Sequence, residues 1–534
     1  MDELTGDAFE SAARDFDAGR IAQSEQACRD LLKANPADID AICLLGEIAT
    51  KYGRLEEATA LLSRAAELEP NFPAARWRLA NVLHKRLDLT GALQQLDHLG
   101  LVDSQGLWSA SSRVLRAAIL TRMGKNHDAI EAYEAALASD PDNIELLKSL
   151  GHARKTVGDL PAAVSAYRRA VAVKPDHGDA WWSLANLKTE RFSAADIEVM
   201  RQQALSHTIS REDFLHLSFA LGKALEDAGQ CDESFLWYQR GNAVRRRLVR
   251  YSAERNRSDV LATISFFTAE RVRSLSDGGA TDPSPIFVVG LPRAGSTLVE
   301  QVLASHSMVE GTQELPDLMS MAIRLSGRKQ WGDPSRYPEV LGEMSPEQLR
   351  GLGEEYLART SIHRVGKSRF IDKLPNNFAH VGLLHAILPN AVVIDARRNP
   401  MDCCFSCYKQ LFAKGQNFTY SLKEIASYYH DYLDLMDHWD RVLPGKVLRL
   451  VNERLIADPE FEIRKLLEHC RLPFEPACLV FYENNRPVRT PSAEQVRRPV
   501  NADGVGRWRP FAAHLTPLAE ALGDALERWD ASQV

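Results

Sequence analysis

The sequence predicts an all-α repeat array followed by an α/β domain with a central parallel sheet. Glycine and proline landmarks recur every 34 residues in the first half, a period that is typical of stacked helical hairpins. Residues 285–300 combine a buried strand, a glycine-containing turn and the start of a helix. Apolar segments at residues 391–396 and 446–451 alternate with helical stretches after that turn. Strands that alternate with helices imply right-handed crossovers between parallel neighbours.

The length and composition indicate a multidomain protein of ordinary globular type. The chain has 534 residues, of which 45% are hydrophobic and 26% are charged, and its net charge is −7. A single hydrophobic core rarely extends over so many residues. We expect a repeat array at residues 1–250, a connecting helix and linker at residues 251–282, and the α/β domain at residues 283–530.

The charge pattern argues against a nucleic-acid partner. The overall balance is acidic, whereas nucleic-acid binders usually carry a basic surface. One basic run at residues 245–247 is interpreted as a solvated helix face, which is the usual place for such a run.

The cysteines and the hydropathy pattern predict a cytoplasmic protein. The eight cysteines have neither the spacing of a zinc site nor the density of a disulfide scaffold. Cys404 and Cys407 form a CxxC in a half-apolar segment and are interpreted as buried thiols. No run of about 18 uninterrupted apolar residues occurs, so no membrane-spanning helix is expected.

The repeat landmarks resemble those of the tetratricopeptide repeat over residues 3–205, with a diverged copy starting at Gly229. The recurring positions are Gly19, Gly53, Gly124 and Gly158, together with Pro36, Pro70, Pro141 and Pro175. Residues 87–108 break this spacing, so one irregular repeat is expected there. The tryptophans at corresponding repeat positions, Trp77, Trp181 and Trp182, are expected to pack in the core.

This resemblance implies a curved solenoid whose concave face holds a peptide or protein partner. The alternative is that the helical stacks serve only as a scaffold or as a surface for homo-oligomers.

The turn after residues 285–290 is predicted to bind an anion. Backbone N–H groups at the start of a helix are unpaired donors at the positive end of the helix dipole. The spacing from Gly290 to Gly295 follows the nucleotide-binding loop, except that Ser296 stands where the lysine would be. Together with Arg293 and Thr297, this loop suits a phosphate that is bound but not hydrolysed.

Further cations follow later in the chain. Lys373 comes directly after a strand-like segment, and Arg398 follows the strand at residues 391–396, with Ser406 about two helical turns beyond it. Arg507 and Trp508 lie in a loop-rich tail, where we expect a second phosphate and a stacked base.

These motifs together resemble the sulfotransferase fold over residues 283–525, and most closely its protein-tyrosine sulfotransferase branch. The segments that carry the resemblance are residues 292–298, residues 372–375, Arg398 with Ser406, and the tail at residues 495–508. The resemblance implies a P-loop-like α/β sulfotransferase domain. It also implies 3′-phosphoadenosine-5′-phosphosulfate as co-substrate.

The same resemblance implies a role for each site residue. The 5′-phosphosulfate would be held by Arg293, Gly295, Ser296 and Thr297. Arg398 and Ser406 would hold the 3′-phosphate, while Ser492 and Arg507 would lie near the donor phosphates. Lys373 would reach the transferring sulfuryl group, and Glu314 stands where that branch keeps its general base.

Sulfuryl transfer with this pair needs no metal, because a carboxylate can take the proton of the acceptor hydroxyl and a cation can stabilise the leaving oxygen. His306 is an alternative base, although a packed helix histidine is the favoured interpretation.

Two departures from the tyrosine-sulfating branch leave the acceptor open. Ala294 replaces its usual serine, and Leu315 with Pro316 follows Glu314 in place of its Thr-Arg continuation. An acceptor tyrosine in a peptide or protein is the first hypothesis, and a carbohydrate or small-molecule hydroxyl is the second. A catalytically inactive repeat scaffold that binds nucleotide is a further alternative, whereas a kinase is disfavoured by the missing loop lysine.

Overall fold

The computed structural model describes residues 2–102, 106, 108–312, 314–328, 330, 333–413, 415–484, 486 and 495–531. The chain divides into two compact units, Met1–Lys174 and Pro175–Val534.

In the described residues of the first unit, ten helices pack as consecutive hairpins. They are α1 (Asp2–Asp17), α2 (Ile21–Ala34), α3 (Ile39–Lys51), α4 (Leu55–Leu68), α5 (Pro73–Lys85), α6 (Leu89–Val102), α7 (Ser109–Arg122), α8 (Asn126–Leu137), α9 (Ile144–Val157) and α10 (Leu160–Val173). Small residues let the paired helices approach: a Cβ atom at Gly46 would lie 2.7 Å from Leu62 Cγ. The predicted helical repeat array is therefore confirmed in this unit.

The turn at Leu87 shows that the expected irregularity at residues 87–108 does not begin at Leu87 itself. Leu87 lies 34 residues after Gly53 and adopts a φ of 67°, close to the 71° of Gly53 and the 76° of Gly19. Helices α5 and α6 pack on either side of this turn as a regular hairpin. A leucine thus takes the left-handed conformation that glycine favours elsewhere, and the spacing changes only after α6.

The second unit begins with further helices before it reaches the sheet. These are α11 (Gly178–Ala185), α12 (Ala194–Ala204), α13 (Arg211–Asp227), α14 (Cys231–Leu248), α15 (Ala253–Phe266) and α16 (Ala269–Ser276). Trp181 and Trp182 are buried, as predicted. The basic run does not form a purely solvated face, because Arg246 donates to Glu424 at 2.7 Å and Arg245 lies over the Tyr420 ring.

Among the residues that the structure describes, the second unit has a sheet of five strands, and all neighbouring pairs of strands are parallel. They are β1 (Pro285–Gly290), β2 (Val309–Gly311), β3 (Arg369–Asp372), β4 (Val392–Arg397) and β5 (Val447–Val451), in the order β2-β3-β1-β4-β5. The predicted strands correspond to β1, β4 and β5, and the strand-like segment before Lys373 is β3. Strand β2 was not predicted, because three residues carry too little hydrophobic pattern.

Helices cover both faces of the sheet. The helices that lie between or after the strands in sequence are α17 (Ser296–Ala304), α18 (Asp317–Ser326), α19 (Pro346–Thr360), α20 (Val381–Ile387), α21 (Pro400–Tyr408), α22 (Leu422–Val442), α23 (Asn452–Ala457), α24 (Pro459–His469), α25 (Thr516–Leu522) and α26 (Asp524–Ala531). Every residue of β1 is buried. On one face Ile286 packs in a cluster with α17 and α24, and on the other Phe287 contacts the Tyr356 ring at 5.6 Å between centroids. This double burial is typical of parallel sheets.

None of the helices in the described part of the chain is both long and apolar enough to cross a membrane.

Candidate active site at the strand ends

The loop between β1 and α17 has the backbone geometry of an anion-binding turn. Gly290 ends β1 with a φ of 134°, and a Cβ atom there would lie 2.5 Å from Ala396 O on β4. Arg293 and Gly295 both have positive φ, 68° and 99°. Gly295 precedes Ser296, the first residue of α17, and supplies no side chain to cap that helix. A buried strand therefore leads into a helix start that is built to receive an external acceptor.

Two arginines meet beside this loop. The Arg398 Nη1 donates to the carbonyl of Arg293 at 3.2 Å, and its Nη2 donates to the carbonyl of Gly504. Arg293 Nε donates to Ser406 Oγ at 3.1 Å. Burial and the neighbouring charge of Arg398 lower the pKa of Arg293 to about 10. Two like charges held together in a partly desolvated place favour the binding of an anion between them.

Helix α21 holds the loop in place. The thiols of Cys403 and Cys407 both point at the carbonyl of Pro292, at 3.4 and 3.1 Å. Cys404 and Cys407 are buried and free, which confirms the interpretation as buried thiols. Burial raises the pKa of both well above the usual range, so they act here as packing groups.

The same helix also binds the C-terminal tail. The Asp402 carboxylate accepts the backbone N–H of Gly506 at 2.6 Å and that of Trp508 at 3.2 Å. Asn399 caps the helix, because its side chain accepts the N–H of Asp402 at 3.2 Å. Residues that are about a hundred positions apart in sequence are thereby fixed around one helix.

A cavity of about 380 Å³ opens between the loop, α21 and the tail. Seven of the residues that were predicted from the sequence to bind the sulfuryl donor line this cavity. These are Arg293, Gly295, Ser296, Thr297, Arg398, Ser406 and Arg507. Trp508 lies outside the cavity wall and contributes its backbone N–H to Asp402. Ser492 lies outside the described residues.

Part of the cavity wall was missed by sequence reasoning. Asn186, Lys223 and Glu226 line it from helices that precede the sheet, and Lys409 and Gln410 line it from the end of α21. No motif marks these residues. The only signal in the sequence was the closeness of Lys409 and Gln410 to Ser406.

Glu314 and Lys373 form an ion pair at the ends of two adjacent strands. Lys373 directly follows β3 and is buried, whereas the Glu314 side chain, which follows β2, is 48% exposed. The Lys373 Nζ lies 2.6 Å from Glu314 Oε1. Thr312 Oγ1 donates to the carbonyl of Ile371 at 2.5 Å and so joins the two strand ends. The pair stands outside the wall of the cavity, on the side of the sheet where β3 pairs with β1.

Asp372 lies beneath this pair. It is fully buried, and the Tyr356 hydroxyl donates to its Oδ2 at 2.8 Å. Burial raises the pKa of Asp372 to about 8. A neutral carboxyl group therefore precedes Lys373 at neutral pH.

His306 is placed away from these groups. It is fully buried, its Nε2 lies 2.9 Å from the carbonyl of Pro473, and the Val309 N–H at the start of β2 donates to its carbonyl. It therefore sits at the amino end of a strand whose carboxyl end leads to Glu314. His306 is packed, as predicted, but it follows the end of α17 and does not lie in a helix.

The class of protein follows from the family comparisons. Residues 285–476 match the model of the sulfotransferase family. Residues 3–151 match a tetratricopeptide repeat-like domain, and residues 120–187 match a tetratricopeptide repeat. The chain thus joins N-terminal tetratricopeptide repeats to a C-terminal domain of the sulfotransferase family.

Two similar proteins extend this comparison. An uncharacterized protein of Aquifex aeolicus (strain VF5) is 29% identical over 542 residues, which cover 97% of this chain and 70% of that protein. Protein-tyrosine sulfotransferase A of Caenorhabditis elegans is 23% identical over 247 residues, which cover 44% of this chain and 63% of that protein.

Among solved structures, MamA matches 34% of this chain and 96% of its own, at 21% identity and a TM-score of 0.30. PilF of Pseudomonas aeruginosa matches 38% of this chain and 90% of its own, at 13% identity and a TM-score of 0.34.

Proposed function

We propose that this protein transfers a sulfuryl group from 3′-phosphoadenosine-5′-phosphosulfate to an acceptor hydroxyl. The observation that carries the proposal is the cavity in which Arg293, Arg398 and Ser406 meet the start of α17. A nucleotide with phosphate groups at two places matches a cavity that is lined by an uncapped helix start and by two arginines.

In this proposal the two ends of the co-substrate are bound by different groups. Arg293, Gly295, Ser296 and Thr297 hold the 5′-phosphosulfate, since they surround the uncapped start of α17. Arg398 and Ser406 hold the 3′-phosphate, and Arg507, which lines the same cavity, adds a positive charge. Ser492 and Trp508 remain predicted contributors from the tail.

The transfer step uses the ion pair. Glu314 takes the proton of the acceptor hydroxyl while the acceptor oxygen forms its bond to sulfur. The bond between sulfur and the bridging phosphate oxygen breaks, and Lys373 stabilises the negative charge that develops on that oxygen. Both side chains lie at the carboxyl ends of strands, where ligands bind in open α/β sheets. No metal is required for this step.

For the acceptor, we propose a tyrosine in a peptide or protein, with a carbohydrate or small-molecule hydroxyl as the second candidate. The similarity to a protein named as a tyrosine sulfotransferase supports the first. The tetratricopeptide repeats would recruit the acceptor or a protein partner, because stacked hairpins offer an extended binding surface. A cytoplasmic location belongs to the same proposal.

Transfer of radiolabelled sulfate from the co-substrate tests this function. The purified full-length protein is incubated with tyrosine-containing peptides, with carbohydrates and with phenols, in the presence of a chelator. Labelling of an acceptor hydroxyl is the expected result. Binding of the nucleotide without transfer to any of these acceptors would favour the inactive scaffold instead.

A further inference from the structure

Three helices that precede the family-matched domain supply one wall of the cavity. They are α11, α13 and α14, which belong to the same compact unit as the sheet. We propose that this wall is part of the binding site for the 3′-phosphate end of the co-substrate, with Lys223 and Arg191 as its anion-binding groups. The inference rests on the proposed function and goes beyond it, because it assigns a ligand contact to the end of the repeat array.

The wall is attached to the end of α21 by three buried or half-buried contacts. Lys409 Nζ lies 2.7 Å from Glu226 Oε1, and Gln410 Nε2 donates to Asn186 Oδ1 at 3.2 Å. Asn242 Nδ2 donates to the carbonyl of Tyr408 at 3.0 Å. Three consecutive residues of the sulfotransferase domain are therefore fixed by three different positions of the helical region.

These contacts involve the residues two to four positions beyond Ser406. Helix α21 ends at Tyr408, Lys409 is its C-cap, and Ser406, Lys409 and Gln410 all line the same cavity. Ser406 in turn accepts from Arg293. The helical wall and the proposed 3′-phosphate position therefore line one cavity.

The charges on the wall favour an anion. Arg191 Nη1 lies 2.5 Å from Asp227 Oδ1, and Lys223 forms an ion pair with the same carboxylate. One buried carboxylate thus faces two cations, which leaves one positive charge in excess. The adjacent carboxylate of Glu226 is neutralised by Lys409, whose charge lowers the pKa of Glu226 against the opposing effect of burial.

Side chains of the wall are packed against one another behind the cavity. The Tyr238 hydroxyl donates to Glu226 Oε2 at 3.1 Å. The Trp182 ring packs edge-on against Phe219 at 5.6 Å between centroids. Aromatic packing behind the lining residues reduces the conformational freedom that ligand binding would otherwise have to remove.

Calorimetric titration of the full-length protein with adenosine 3′,5′-bisphosphate tests the inference, with adenosine 5′-monophosphate as the probe that lacks the 3′-phosphate. Lys223→Ala is expected to weaken bisphosphate binding about tenfold, since a hydrogen bond to a charged group is lost. Monophosphate binding should stay near its wild-type value. Asp227→Asn should tighten bisphosphate binding, because the carboxylate that neutralises both cations is removed. Arg211→Ala, an exposed change on the same helix α13, is the control and should match the wild type.

Unchanged bisphosphate affinity in both Lys223→Ala and Asp227→Asn would overturn the inference while the proposed function stands. A change in acceptor KM alone would also overturn it, because the wall would then serve the acceptor. If Lys223→Ala does not fold, Asp227→Asn decides alone: tighter bisphosphate binding supports the inference, and unchanged or weaker binding overturns it. Wild-type protein that binds no bisphosphate would contradict the proposed function itself.

Discussion

The buried ammonium of Lys373 lies 2.6 Å from the half-exposed carboxylate of Glu314. The pair forms where β3 and β2 end side by side, because these two strands are parallel neighbours. One partner is thus held rigidly by the core and the other can be reached by an external molecule. This asymmetry suits a base that meets the acceptor and a cation that acts on the leaving oxygen.

Glu314→Gln should retain binding of adenosine 3′,5′-bisphosphate and lower the transfer rate about a hundredfold or more, because a positioned general base is lost. Initial rates of radiolabelled transfer and calorimetric titration measure the two properties. Glu339→Gln, an exposed change, serves as the control. Transfer at the wild-type rate would remove Glu314 from the mechanism.

Lys373→Ala should also lower transfer about a hundredfold or more, since stabilisation of the leaving oxygen is lost. Its affinity for the bisphosphate should change little, because Lys373 stands outside the cavity wall. The exposed Lys423→Ala on α22 is the matched control. A variant that loses nucleotide binding in proportion to transfer would place Lys373 in the binding site instead.

Gly290→Ala should destabilise the second unit by about 3 kcal/mol, because a left-handed residue must then place a Cβ atom against a backbone carbonyl. That atom would lie 2.5 Å from Ala396 O. Gly445→Ala is the matched control: its φ is 73° but its Cβ atom would meet open space, so about 1 kcal/mol is expected. Urea unfolding of both variants measures the difference. Equal losses of unfolding free energy in the two variants would show that the close approach of β1 and β4 adds nothing to the cost of Gly290→Ala.

Asp372→Asn should make the unfolding temperature less sensitive to pH. Burial raises the pKa of Asp372 from its usual 3.8 to about 8, so between these values the folded chain keeps a proton that the unfolded chain has released. The contribution of the Asp372 carboxyl group to the free energy of unfolding is therefore at its maximum below about pH 4, and it decreases as the pH rises to about 8.

Since asparagine does not titrate, the variant should gain a few degrees relative to wild type between pH 5 and pH 9. Thermal unfolding at the two pH values measures this gain, with the exposed Asp277→Asn as control. A constant difference between variant and wild type would show that the Asp372 carboxyl titrates normally.

The sequence was sufficient for the parts of the fold that carry strong local patterns. The strand, turn and helix at residues 285–300 appear as β1 and α17, and Arg398 follows β4 as the apolar run predicted. These features depend on burial and turn geometry within a few residues. The hydrophobic pattern of a short segment is therefore enough to predict them. The left-handed turn at Leu87 was not predicted, because leucine rarely adopts that backbone conformation.

The helical wall of the cavity escaped prediction for a different reason. Lys409 contacts Glu226, and Gln410 contacts Asn186, across about two hundred residues of sequence. Such contacts follow from the packing of whole elements and leave no spacing pattern along the chain. The position of Trp508 was not predictable for the same reason, since its backbone N–H contacts Asp402, about a hundred residues away in sequence.

The most direct test of donor recognition is calorimetric titration of wild type and Arg398→Ala with adenosine 3′,5′-bisphosphate, adenosine 5′-monophosphate and ATP. Arg464→Ala, which removes an exposed arginine from α24, is the control. We predict that wild type prefers the bisphosphate to ATP. We also predict that Arg398→Ala loses about tenfold or more in bisphosphate affinity with little change for the monophosphate. Equal bisphosphate affinity in wild type and Arg398→Ala, or a wild-type preference for ATP, would contradict the assignment of the sulfuryl donor.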